Sequence, residues 1–100
     1  MSLTPQPSRR TVPLAERPSA AQLEAALRAA LDPVHLVVRD DSQAHAGHAG
    51  AAEGSHFRVE IRAACFAGQP RLARHRLVYD ALSALIPRGI HALAIVAEAP

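Results

Sequence analysis

A chain of 100 residues, 49% of them hydrophobic and 20% charged, has room for one small domain with one core, and no run in it is apolar enough to suggest a membrane span. Its formal charge is only +2, with eleven arginines and no lysine, so bulk charge alone does not argue for a nucleic-acid partner. The single cysteine excludes an internal disulfide and a cysteine-only metal site within one chain, and it favours a reducing, cytoplasmic setting.

Residues 1–17 carry three prolines, several Ser and Thr residues and no apolar periodicity. They read as a disordered tail, with a degraded targeting peptide as the weaker reading, ahead of a domain over 18–98. The first helix is predicted from Ser19. Its hydroxyl suits the N-cap, and Gln22 stands three residues on, as a capping box requires. Leu23, Ala26, Leu27, Ala30 and Leu31 recur at helical spacing, and Pro33 ends the run.

"VHLVVRD" (34–40) reads as a strand. After it comes a stretch of about 14 residues rich in Ala, Gly and His, long for a loop inside so small a domain and therefore a functional candidate. "HFRVEIRA" (56–63) alternates strictly, with Phe57, Val59, Ile61 and Ala63 on the core side. Cys65 shares their parity, so a small buried hydrophobe is its expected role. Pro70 suits the first position of a second helix running to about residue 86, with Leu72, Val78, Ala81, Leu82, Leu85 and Ile86 as its core stripe. "IHALAIVA" (90–97) is apolar on both parities, the pattern of a covered, central or parallel strand. The order helix–strand–strand–helix–strand predicts a two-layer α/β (α+β) sandwich. In its three-stranded mixed sheet, strands 1 and 2 pair antiparallel and strands 2 and 3 parallel.

That topology gathers histidines. The end of strand 1, the loop after it and the starts of strands 2 and 3 all fall at one end of the sheet. His45, His48, His56 and His91 therefore converge there, although they span nearly half the chain. Imidazole ligates iron, zinc and copper, and two loop histidines with one strand histidine amount to part of a coordination shell that must be completed from outside. Each has a plainer reading: His45 and His48 as polar loop residues, His56 as hydrogen-bonded at a sheet edge, His91 as a cap where helix 2 meets strand 3. Arg71, Arg74, His75 and Arg76 form a basic cluster at the start of helix 2. There cations oppose the helix dipole, so contact with phosphates or an acidic partner competes with a merely solvated helix start. No nucleophile triad, phosphate loop or dinucleotide fingerprint is present, and the chain reads as a non-enzyme.

The blocks "SQAHAGHAGAAEGSHFRVEI", "FAG", "RLARHRLVYDAL" and "IHALAI", in this order and spacing, resemble the BolA family over roughly residues 19–97. The resemblance implies a class II KH-like fold. It also implies a monothiol glutaredoxin as partner and a [2Fe–2S] cluster shared with that partner and glutathione, none of it held by the isolated chain. His91 would be one cluster ligand and a loop histidine, His45 or His48, the other, with His56 at the edge of the site. The family is also regarded as DNA-binding transcription regulators, in which case Arg71, Arg74, His75 and Arg76 would contact DNA. Against this, the chain lacks the G-x-x-G loop of nucleic-acid-binding KH domains.

Overall fold

The computed structural model describes residues 16–42 and 54–100, so the expected tail, His45 and His48 lie outside or almost wholly outside the described residues. Helix α1 spans Ala20–Leu31, followed by strands β1 (His35–Asp40) and β2 (Ser55–Arg62), helix α2 (Arg71–Ala81) and strand β3 (Ile90–Glu98). Short 3-10 turns at Ala64–Phe66 and Ile86–Arg88 flank α2. Among the described residues no helix is long and apolar enough to cross a membrane.

Ser19 caps α1 through a full capping box. Its hydroxyl accepts from the Gln22 amide (3.1 Å), and the Gln22 side chain accepts from the Ser19 amide (2.8 Å). The helix ends where Asp32 turns left-handed (φ 47°) and donates its N–H to the Arg28 carbonyl, with Pro33 next. Leu23 and Leu27 are fully buried, Ala26 and Leu31 partly so, and Ala30 is exposed.

The sheet order is β1-β2-β3, with β1 antiparallel and β3 parallel to the central β2. In β2 the predicted alternation holds: Phe57, Val59 and Ile61 are buried, while His56, Arg58 and Glu60 are half-buried on the other side. Register places Leu36, Val38, Leu93, Ile95 and Ala97 on the same face as that buried row. They meet Leu23 and Leu27 of α1, Val78 and Leu82 at α2, and Phe66 from the first 3-10 turn in one core. Both helices thus cover one face, giving the predicted two-layer α+β sandwich.

Six expectations are corrected. β3 is parallel, but it lies at the sheet edge and is mostly uncovered: only Ile90 and Ala97 are buried, and Val96 is 39% exposed. His56, expected at a sheet edge, stands on the central strand. Helix α2 stops at Ala81 rather than near 86: beyond it the backbone tightens into i→i−3 bonds, the Ser83 N–H donating to the Asp80 carbonyl and the Leu85 N–H to the Leu82 carbonyl. Pro70 is the N-cap, not the first helical residue, and the helix is turned so that Leu72 is 63% exposed instead of in the core. Cys65 is exposed too, because the backbone leaves the strand after Arg62 for a 3-10 turn and the parity is lost.

Candidate functional site: a two-histidine corner

The site is built by a break in the β2–β3 ladder. Ser55 pairs with Ile90, but His56 pairs with Ala92, so His91 is an extra residue on β3 with no partner in β2. A bulge of this kind re-aims a side chain away from the regular pleat. It allows Ile90 and Leu93, which have opposite parities, both to serve the core, and it leaves His91 exposed between them. The His91 ring lies beside that of His56, with centroids 5.3 Å apart and planes tilted by 57°. The His91 side chain makes no hydrogen bond among the described residues, so the capping role considered for it is not seen.

The chain is pinned tightly around this pair. The His56 N–H donates to the Ser42 hydroxyl (3.1 Å), and the Asp41 N–H donates to the His56 carbonyl (2.7 Å). Ser42 is itself fixed by its N–H donating to the Asp40 carboxylate (2.9 Å). On the other side the Ser55 N–H donates to the Gly89 carbonyl (2.7 Å). Gly54 must be glycine: a Cβ there would stand 2.6 Å from the Gly89 oxygen and 3.0 Å from the His91 Cβ and amide nitrogen. Gly89 has φ 139°, open to glycine alone, and this swings the chain from the 3-10 turn into β3. Segment 43–53, which carries His45 and His48, therefore leaves from Ser42 beside His56 and returns at Gly54 against His91. Next to the pair lies a depression of about 270 Å³ lined by Asp41, His56, Phe57, Ala92, Leu93 and Ala94.

The donor set suits part of a metal site and no more. No group of three or more His, Cys, Asp or Glu residues that would hold a metal exists among the described residues. Cys65 follows the C-terminal end of β2, whereas His56 and His91 sit at the N-terminal ends of β2 and β3. An eight-residue strand spans about 26 Å at ~3.3 Å per residue, so this thiol does not reach the histidines.

The basic cluster divides. Arg71, Arg74 and His75 line one cleft of about 230 Å³ against Ile95–Glu98 of β3, and Arg76 is exposed elsewhere on the helix. The sequence did not reveal that Arg74 and His75 are half-buried against the sheet, with Arg71 exposed at the rim of the same cleft, because apolar Leu72 competes with them for the inner position. Nor did it reveal the bulge or the Ser42 and Gly54 anchors. The one available signal was a glycine directly before the start of a strand.

The family model described as BolA-like protein matches residues 27–100. The chain belongs to the BolA-like family. It is 41% identical over 85 residues to "Protein BOLA1, chloroplastic" of Arabidopsis thaliana, a match spanning 81% of this chain and 53% of that relative. It is 40% identical over 74 residues to the "DNA-binding transcriptional regulator BolA" of Escherichia coli, covering 74% of this chain and 69% of the relative. Among solved structures, the BolA domain of SufE1 from Arabidopsis thaliana aligns with a TM-score of 0.72 at 42% identity, over 81% of this chain and 91% of that one. This BolA-like chain thus spans about half the length of the Arabidopsis BOLA1 relative, and its α-β-β-α-β sandwich is the fold of BolA structures.

Proposed function

We propose that this BolA-like protein is a non-enzymatic adaptor in iron–sulfur trafficking or iron regulation. It would hold a [2Fe–2S] cluster jointly with a monothiol glutaredoxin and glutathione, in a reducing compartment such as the cytoplasm. The observation that carries the reading is His91: an exposed imidazole set out of the ladder by a bulge, with no hydrogen-bond partner among the described residues, at the corner where segment 43–53 is anchored. The family resemblance favours His45 as the second ligand, with His48 as the additional candidate; both are carried by the segment that runs from Ser42 to Gly54. His56 stands beside His91 at the edge of the site. The thiolates come from the partner and from glutathione, since Cys65 is at the wrong end of the sheet. When the cluster is bound, imidazole ligation raises its reduction potential relative to thiolate ligation and loosens its hold, which suits transfer.

The test is a titration of cluster-loaded monothiol glutaredoxin with the protein, followed by visible absorption and circular dichroism. The reading expects a new spectrum that needs glutathione and is lost in His91→Ala. An unchanged spectrum, or the same change with His91→Ala, would overturn it.

Similarity to the Escherichia coli relative supports a second reading, a DNA-binding transcription regulator acting through α2. It expects a steep fall of duplex affinity with salt and losses on replacing Arg71, Arg74 or Arg76. No duplex binding at low salt would dismiss it.

A further inference from the structure

The inner face of α2 changes character along its length. Val78 and, one turn on, Leu82 are fully buried in the core. Tracing the same face back towards the N-terminus gives Arg71, Arg74 and His75, spaced i, i+3, i+4 where the helix meets the end of β3. Arg74 and His75 thus occupy half-buried positions that the packing pattern would fill with apolar side chains, and Arg71, exposed, stands at the rim of the cleft. The apolar residue available nearby, Leu72, is on the outside.

Nothing in the described residues balances them. The one carboxylate in the cleft, Glu98, is turned to Arg62 at 3.6 Å. The N-terminus of α2 has no side-chain cap and no acidic residue in its first turn, so its unbonded N–H groups add positive potential to that of the arginines. Arg74 is held in place by donating Nη1 to the Ala97 carbonyl at 2.7 Å, and its Nε is buried with no hydrogen-bond partner among the described residues. A fixed guanidinium with a buried unmet donor, in a cleft that also holds a second arginine, is arranged for an oxyanion.

We infer that the cleft between α2 and β3 is a binding site for one dianionic phosphate group, free or carried on a small phosphomonoester. Arg74 and Arg71 are its charged donors, and Ile95 and Val96 form the wall beside it. The geometry favours a single group over a nucleic-acid backbone. The basic residues converge on one cleft instead of forming a track, Arg76 lies apart from them, and no Phe, Tyr or Trp lines the cleft to stack on a base. The site lies by the C-terminal half of β3, away from the histidine corner at its start, so it stands or falls independently of the cluster reading.

The test is an amide NMR titration of the full chain with inorganic phosphate, with glycerol phosphate and, at matched ionic strength, with chloride. The expected result is saturable shifts confined to the first turn of α2 and the end of β3 with either phosphate and not with chloride. Replacing Arg71→Gln or Arg74→Gln weakens binding about tenfold, the effect of losing one charge-assisted hydrogen bond. Arg76→Gln, with the same charge change outside the cleft, leaves it within about twofold. Arg71→Gln serves if Arg74→Gln loosens the fold by freeing the Ala97 carbonyl. Equal response to chloride, or equal loss with Arg76→Gln, overturns the inference. So does a short DNA duplex that displaces phosphate and depends on Arg76 as much as on Arg71, since the cleft would then belong to a nucleic-acid track.

Discussion

His91 stands 5.3 Å from His56, centroid to centroid, yet the two are not register partners: His56 is paired with Ala92, and His91 is the residue the ladder skips. An exposed side chain outside the pairing pattern contributes little to folding. His91→Ala is therefore expected to change stability by no more than about 0.5 kcal/mol while abolishing the glutaredoxin-dependent spectrum. Chemical denaturation of the variant beside the titration checks both halves, and a large loss of stability would show that the ring has a packing role instead.

Gly54 gives a sharper structural prediction. A methyl group there overlaps the Gly89 carbonyl and crowds the His91 backbone, none of which is the far end of a flexible side chain. Gly54→Ala is expected to cost about 1–3 kcal/mol, as overpacking does. The start of β3 must shift to relieve it, so amide NMR shifts should concentrate at Gly89–Ala92.

The rotation of α2 is tested by Leu72, with the buried Leu27 of α1 as the reference. Leu27→Ala removes a fully buried side chain and should cost about 2–5 kcal/mol. Leu72→Ala, at an exposed position, should stay within about 0.5 kcal/mol. Comparable losses from the two would mean that α2 presents a different face to the sheet.

Ligation by imidazole needs the neutral ring, because the protonated one has no lone pair to give. The joint cluster spectrum is therefore expected to persist at neutral pH and to fade on acidification. Partner association measured without the cluster should not follow the same curve. If it does, the pH effect belongs to the interface and not to ligation.

How far the sequence could be read is explained by where the pattern is strict. β2 alternates without exception because one of its faces meets the core and the other does not, and α1 carries both its cap and its stripe in adjacent residues. The order and direction of the strands, and with them the gathering of the histidines, followed from those two elements and the βαβ connection. The rest depended on contacts between residues far apart in sequence. Cys65 kept the strand's parity on paper, but the backbone had left the strand. β3 looks central by composition, yet in the sheet order β1-β2-β3 it pairs on one side only, with β2. For Arg71, Arg74 and His75 the sequence left contact with an anion and a solvated helix start as alternatives, and only the fold shows them lining a cleft against the end of β3.

The skipped residue in β3 also separates two kinds of damage. Removing His91 altogether, rather than shortening its side chain, would bring Ile90 and Ala92 into direct succession and restore an unbroken in-phase pairing with Ser55 and His56. A single-codon deletion at this point would thus leave a sheet at least as regular as the present one, with the exposed imidazole gone. Folding alone therefore offers no safeguard for that ring: the ladder would close as well without it.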